Sequence, residues 1–302
     1  TLGELISDFV RLERQRDMAK TYNDLYLDIR QRLRKAGVEA AQLEARELIC
    51  RAAGKSQEEF FKDSRLYAPR PVEEQLEADV QRRLAGEPVA YIIGQWNFYG
   101  LPLTVTPAVL IPRPDTEIIA ARAIELAKAA GEHGRVLDLC TGSGCIGLAV
   151  AKHAENCRVV LGDLSEDALR ICRQNARQNG LATRTTILTV DALQPPTHFL
   201  GDFNVIVCNP PYIRSGDIPG LDVSVRDYEP LLALDGGADG LAFYRYLAQH
   251  WKLALRRQGT LLFEVGYDQA EDVSDLLAQY GYRNIAQHKD YNGILRGVEA
   301  TL

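Results

Sequence analysis

The chain has 302 residues, 46% hydrophobic and 25% charged, enough for one large α/β domain and a smaller one. Its net charge of −6 weighs against broad, sequence-independent nucleic-acid binding, which needs a basic surface to displace counterions, and makes a protein the more natural partner. No apolar run approaches the roughly 20 residues that cross a membrane, and residues 1–20 carry no signal-type apolar stretch, so the expected location is the cytoplasm.

The opening residues read as helical. Tyr22, Leu25, Ile29 and Leu33 share one helical face and Gly37 supplies a stop. A second helix is expected over residues 39–53, ending at Gly54, and Ser56 with Glu59 three positions on has the capping-box pattern. Val72, Leu76, Val80 and Leu84 keep a spacing of four until Gly86 and Pro88. Residues 1–90 are therefore expected to form a small helical domain. The lone methionine, Met18, suggests that residues 1–17 extend upstream of the usual start.

From Tyr91 the period changes, and GQWNFYGLPLTV predicts a β-hairpin across residues 95–106. A proline-bearing linker follows, so that residues 91–114 join the two domains. Asp115 and Thr116 are placed to cap a helix over residues 117–130. Strand and helix then alternate: strands at 135–139, 158–163, 185–190, 203–208 and 260–265, with helices from about 143, at 166–179, at 241–257 and near 268–279. Two closing strands, YRNIAQ and ILRGVEA, complete residues 115–302. Repeated βα units specify a mostly parallel sheet with helices on both faces. The six cysteines form no C-x-x-C pair and the histidines are scattered, so no metal site is expected and the thiols read as small buried hydrophobes in a reducing compartment.

Two segments carry chemistry. The first is Asp138-Leu139-Cys140-Thr141-Gly142-Ser143-Gly144-Cys145-Ile146-Gly147, a strand end, a glycine turn and a helix start. Gly142, Gly144 and Gly147 satisfy G-x-G-x-x-G, with Asp163 ending the next strand to meet ribose hydroxyls. Such a turn fits a dinucleotide site and an S-adenosylmethionine site alike. Asp138 shifts the balance to S-adenosylmethionine, whose sulfonium and amino group welcome nearby acids, whereas a pyrophosphate wants the helix N-terminus free. Asp191, ending the third strand, is placed to meet adenine, or else caps a turn.

The second segment is Asn209-Pro210-Pro211-Tyr212, at the carboxyl end of a buried strand where open parallel sheets bind ligands. An amide or aromatic amine is a poor nucleophile because its lone pair is delocalised. The Asn209 side-chain oxygen and the Pro210 carbonyl offer two acceptors for its N–H groups, which favours a pyramidal nitrogen with its lone pair aimed at a methyl donor. Pro210 and Pro211 lack N–H and fix φ, keeping that carbonyl aimed, and Tyr212 offers a flat face for stacking. The bland alternative is a strand-ending proline loop.

These blocks, with AGEPVAYIIG (85–94), LIPRPDTE (110–117), YEPLLALDGGADGL (228–241), Glu264-x-Gly266-x-x-Gln269 and the closing KDYNGILRGV, resemble the HemK/PrmC family of protein-(glutamine-N5) methyltransferases acting on class I peptide-chain release factors. The resemblance implies a Rossmann-like class I methyltransferase sheet with its last strand antiparallel, a helical domain that grips the release factor, S-adenosylmethionine as cofactor, and the glutamine of a Gly-Gly-Gln loop as target. It places Cys140, Thr141, Gly142, Ser143 and Gly144 at the cofactor, Asp163 at its ribose and Asp191 with Ala192 near adenine. Asn209, which also meets the cofactor, binds the substrate amide with Pro210, Pro211 and Tyr212. Residues 110–114 are implied to close over the site, with Arg113 and Glu117 either in direct contact or in a salt-bridged loop and helix start. Glu229 is implied to be a pocket wall or a capping acid. The chain departs from the family at Cys140, where glycine is usual, and at Ala192, where some members carry an aromatic residue. A monomer is expected. Rival readings are a glutamine methyltransferase of a ribosomal protein, an N6-adenine methyltransferase, an NAD-dependent oxidoreductase and a non-catalytic binding module. The Pro-Asp of IPRPDTE favours the release-factor branch, and the oxidoreductase leaves Asn209–Tyr212 unexplained.

Overall fold

A computed structural model describes residues 19–302, so the expected upstream extension lies outside the described residues. The chain divides after Ile93 into two units. Among the described residues the first holds five helices: α1 (Tyr22–Lys35), α2 (Ala41–Ala53), α3 (Gln57–Asp63), α4 (Arg70–Leu84) and α5 (Val89–Ile93). Capping boxes start two of them, Thr21 with Asp24 at α1 and Ser56 with Glu59 at α3. Gly54 ends α2 in the left-handed region at φ 62°. Tyr22, Leu25, Ile29 and Leu33 of α1 are buried, as their spacing predicts, and so are Leu76 and Val80 of α4, but Leu84 remains 37% exposed. Two acids are also buried here. Asp79 accepts from Arg51 at 2.6 Å and from Gln75 at 3.1 Å, and Glu44 accepts from Arg83 at 2.5 Å.

The short α5 corrects the expectation of a linker from Tyr91. Its β-branched residues favour a strand, but the Pro88 carbonyl accepts from the N–H groups of Tyr91 and Ile92, and Val89, Ala90, Tyr91 and Ile92 are all buried. Packing overrides propensity here.

The second unit opens with a hairpin, β1 (Gln95–Phe98) and β2 (Leu101–Thr104), tighter than the expected span. Its two-residue turn has φ 48° at Tyr99 and 76° at Gly100, the double positive that suits a primed hairpin turn. A single 3-10 turn over Pro114–Thr116 precedes α6 (Glu117–Ala129). Thr116 does not cap α6 through its side chain, and Asp115 pairs with Arg296 at 3.1 Å instead.

The sheet contains β3 (Arg135–Leu139), β4 (Arg158–Asp163), β5 (Thr185–Thr189), β6 (Phe203–Cys208), β7 (Leu255–Glu264), β8 (Arg283–Lys289) and β9 (Leu295–Thr301), in the order β5-β4-β3-β6-β7-β9-β8. Only β9, the last, runs against its neighbours β7 and β8, as expected. Between the strands lie α7 (Cys145–His153), α8 (Glu166–Gln178), the one-turn α9 (Val223–Arg226), α10 (Ala242–His250) and α11 (Ala270–Gln279). Two apolar layers sandwich the sheet, one against α6, α7 and α8, the other against α10 and α11.

The helix expected over residues 241–257 is shorter than predicted. At Trp251 the chain tightens into a 3-10 turn, Trp251–Ala254, with the indole fully buried and its N–H donated to the Ala192 carbonyl at 3.0 Å. Leu255 then pairs beside Phe203, so the strand starts five residues before the expected Thr260. The residues after Trp251 have good helix propensity, but strand pairing and the indole's position decide their conformation.

Candidate active site

The parallel pairing of β3 with β6, Leu139 beside Cys208, brings the glycine turn and Asn209 to the same end of the sheet at its centre. The two segments singled out by their residue types thus meet through strand register.

The turn is tight for physical reasons. Gly142 sits at φ 55°, and a Cβ on Gly147 would lie 2.1 Å from a Leu161 methyl and 2.9 Å from Asp138 Oδ2, so α7 packs directly on the sheet. Cys140 adopts φ 59°, the left-handed backbone that its departure from glycine made uncomfortable. Asn175, fully buried on α8, donates to the Ser143 carbonyl at 2.9 Å and bonds the Thr104 backbone in both directions, tying turn and hairpin together.

Four acids line the cavity, and three of them, Asp138, Asp163 and Asp191, lie at the strand ends. Asp138 Oδ2 accepts from the Thr141 hydroxyl at 2.6 Å and the Gly147 N–H at 2.8 Å, while Oδ1 is buried without a partner. Burial pushes this carboxyl up to about 7, against the pull of those two bonds. Asp163 accepts from Gly142 N–H at 2.8 Å and Ser165 N–H at 2.9 Å, and burial also raises its carboxyl above the usual range. Asp191 caps the N–H of Leu193 at 2.8 Å and also lines the cavity.

The cavity measures about 350 Å³, within the size range of small-molecule sites. Cys140, Thr141, Gly142 and Ser143 form its floor with Asp163, Asp191 and Ala192. Asn209 and Pro211 reach it from the β6 end. Gly144, Pro210 and Tyr212 are not among its lining residues: Gly144 is the left-handed start of α7, Pro210 is buried, and Tyr212 packs half-buried against the apolar layer around α10. Burial raises the Tyr212 phenol above its ordinary range, so it stays protonated at neutral pH. The Ser143 hydroxyl, like Asp138 Oδ1, is buried without a partner.

Residues 107–113 form a further wall. Glu229 ties this segment down, accepting from the Ile111 N–H at 3.1 Å and from the Arg113 guanidinium. Burial raises the Glu229 carboxyl while Arg113 opposes the shift. Arg113 lines the cavity and is ion-paired at once. Glu117 instead accepts from the Tyr99 N–H at 2.8 Å, linking the start of α6 to the hairpin.

Residue types did not single out the support behind Asn209 and Tyr212. Glu264, ending β7 with 3% exposure, has the side chains of Thr116 and Asn209 near its carboxyl, where they favour the ionised form against burial. Gln269 donates to the carbonyls of Tyr212 at 3.0 Å and Gly240 at 3.2 Å, and accepts from the Gly266 N–H at 2.9 Å. The available signal was their place at and just beyond the end of β7, the strand beside β6.

Comparison with known proteins agrees with this architecture. Residues 24–94 match the PrmC N-terminal domain, and residues 120–222 match the methyltransferase small domain. The release factor glutamine methyltransferase of Agrobacterium fabrum is 38% identical over 267 residues, 87% of this chain and 91% of that one. That of Geobacter sulfurreducens is 39% identical over 272 residues, 88% and 91% of the two chains. Among solved structures, the release factor-specific protein-(glutamine-N5) methyltransferase from Alicyclobacillus acidocaldarius is 30% identical, covering 66% of this chain and 98% of that one with a TM-score of 0.41. The hMettl16 catalytic domain, at 15% identity and a TM-score of 0.54 over 67% of this chain and 76% of that one, shares the fold. With more than a third of its residues identical to such relatives over most of both lengths, the chain belongs to the release factor glutamine methyltransferase family.

Proposed function

We propose that this protein transfers a methyl group from S-adenosylmethionine to the side-chain amide N5 of the glutamine in the Gly-Gly-Gln motif of class I peptide-chain release factors. The observation that carries the reading is one cavity shared by an amide side chain, Asn209, and a glycine turn with two unpartnered buried polar atoms, Asp138 Oδ1 and Ser143 Oγ. Buried polar atoms without partners cost free energy unless a ligand satisfies them, and a carboxylate suits a ligand carrying positive charge. The donor set therefore fits the proposed cofactor: Cys140 to Ser143 wrap it while Gly144 shapes the turn behind them, Asp163 takes its ribose hydroxyls, and Asp191 with Ala192 borders its adenine. When bound, S-adenosylmethionine supplies an electrophilic methyl group.

The chain's own residues then make the amide reactive. Asn209 accepts one N–H of the glutamine through its side-chain oxygen, and the Pro210 carbonyl accepts the other. Two acceptors hold the NH2 group and favour pyramidal geometry at nitrogen. Pro210 and Pro211 keep the carbonyl aimed, because neither has an N–H and both have fixed φ. Tyr212 stacks on the planar amide. Positioning supplies most of the rate, and no strong base is needed because the nitrogen becomes acidic once methylated. The helical unit ending at Ile93 serves as the release-factor recognition domain and the unit from Gly94 to Leu302, opened by the hairpin, as the catalytic domain, in a cytoplasmic monomer.

The test is to mix the protein with unmodified release factor and isotopically labelled S-adenosylmethionine and to map the label by peptide mass spectrometry. Label on the Gly-Gly-Gln glutamine is expected. Label on a ribosomal-protein glutamine, on adenine, or nowhere would overturn the reading.

A further inference from the structure

We infer that Glu264 is a positioning residue that sets the polarity of the Asn209 amide, turning its oxygen rather than its nitrogen toward the cavity. The inference rests on the proposed amide chemistry and adds a residue to it.

β6 and β7 run parallel with Cys208 beside Phe263, so the next residue on each strand, Asn209 and Glu264, emerge side by side at the carboxyl end of the sheet. Glu264 is 3% exposed and is absent from the cavity lining, whereas Asn209 lines it. The Glu264 carboxyl lies close enough to the side chains of Asn209 and Thr116 for both to favour its ionised form, and its Oε2 is buried without a hydrogen-bond partner. A hydrogen bond fixes the backbone at this corner, because the Tyr244 hydroxyl donates to the Glu264 carbonyl at 2.8 Å.

An asparagine side chain is nearly symmetric in shape but opposite in hydrogen-bond sense at its two ends, and packing alone does not choose between them. An ionised carboxylate only accepts. Placed behind Asn209, it selects the Nδ2 end and leaves Oδ1 for the cavity, the acceptor that an incoming NH2 group needs. A protonated carboxyl can donate instead and would pull Oδ1 backwards, presenting an NH2 group to another NH2 group.

The charges around Glu264 sharpen this role. Arg296 on β9 faces it, but that guanidinium is paired with Asp115 at 3.1 Å and Asp290 at 3.4 Å. Asp115 itself, before α6, opposes ionisation. Tyr212, Tyr244 on α10 and Cys145 on α7 also feel its charge. Among the described residues Glu264 has no ion-pair partner, and burial pushes it up to about 7. The ionised form, which orients Asn209 correctly, is therefore lost as pH falls through about 7.

The test compares the full-length wild type with Glu264→Gln and Thr116→Val. Wild-type kcat should fall as pH drops through about 7. Glu264→Gln can present a donor or an acceptor, so its kcat should fall on the order of tenfold or more and lose that acid limb, with cofactor affinity changed less than about threefold. Thr116→Val removes the other polar neighbour of the carboxyl and leaves Asn209 in place; it should keep the limb with its midpoint moved to higher pH. A readout independent of turnover is the Asn209 side-chain ¹⁵N–¹H signal, assigned by its disappearance in Asn209→Asp. It should titrate near pH 7 in the wild type and not in Glu264→Gln. Wild-type kcat and an intact acid limb in Glu264→Gln, or an Asn209 signal that ignores pH in the wild type, would overturn the inference. Failure of the wild type to methylate release-factor glutamine would instead overturn the proposed reaction and leave the titration standing as its own result.

Discussion

The helical unit and the sheet unit both bury acidic side chains, but treat them differently. In the helical unit Asp79 is fully buried and Glu44 is 8% exposed, and each meets an arginine at hydrogen-bond distance. In the sheet unit Asp138 and Glu264 are as deeply buried, yet among the described residues neither has an ion-pair partner, and both are pushed up to about 7. Glu229 and Asp290 of the same unit do have arginines, so the contrast is not simply one of helices against sheet. A buried acid with its cation is a piece of architecture whose electrostatics close locally. A buried acid without one keeps the cost of holding its charge out of water, and such costs gather where a ligand or a positioned group will use the charge.

The largest effect is expected at Asn209, the group beside the unpaired Glu264. Asn209→Ala removes the proposed acceptor at the cavity and should lower transfer by on the order of 10²- to 10³-fold, the usual effect of deleting one preorganised polar group at a reacting centre. Cofactor affinity, followed by calorimetry, should stay within a fewfold. Equal loss of both would mean that Asn209 serves the cofactor and that the substrate half of the site lies elsewhere.

The paired acids should respond in stability, not chemistry. Asp79→Ala strips the acceptor from Arg51 and Gln75, and since Arg51 is partly exposed its stranded charge reaches water. A loss of about 1–3 kcal/mol in urea unfolding is expected, with cofactor affinity at low temperature unchanged. A neutral result would show that burial and pairing at Asp79 carry no architectural weight.

How much of this was readable in the residues follows from the distance over which each feature is determined. The capping box at Ser56, the hairpin, the glycine turn and the tetrapeptide are local, and their residue types announce them. That β3 and β6 lie together was legible through fold-level rules about parallel sheets, because the residue types mark two strands ending in ligand-binding segments. The conformation of Val89–Ile93 and the early end of α10 were not, because burial around Tyr91 and Trp251 decides them. Glu264 was visible only as one residue in a block of resemblance. Its contact with Asn209, 55 residues earlier in the chain, exists only once β7 is registered against β6.

Asp138 offers a test with the opposite sign. Its carboxyl lies above its unfolded value, so between about pH 4 and 7 the folded protein holds a proton that the unfolded chain has released. Stability should therefore decline as pH rises through that window and level off above it, as far as this group is concerned. Asp138→Asn keeps an oxygen to accept from Thr141 and Gly147 and removes the buried charge. At pH 8 the variant should be more stable by about 1–2 kcal/mol, with the decline flattened, while cofactor binding weakens. A less stable variant at pH 8 would remove the claim that this acid is held at a cost.

The smallest expected effect lies one strand end away, at Cys140. Its φ of 59° is left-handed, a conformation costing a side-chain-bearing residue about 1–2 kcal/mol, while glycine adopts it freely. Against that, glycine enlarges the entropy of the unfolded chain by about 0.4–1 kcal/mol, and the packing of the Cys140 side chain is lost. Strain relief exceeds the opposing terms only narrowly, so Cys140→Gly should gain no more than about 0.5 kcal/mol in urea unfolding. The more telling readout is cofactor affinity. If the turn is already held in its binding conformation by Asp163, Asn175 and the Gly142 backbone, relaxing Cys140 changes affinity by less than about twofold. A larger loss would mean that the thiol itself contacts the ligand, and the strain at this position would then belong with Asp138 and Glu264, as a cost kept for the site.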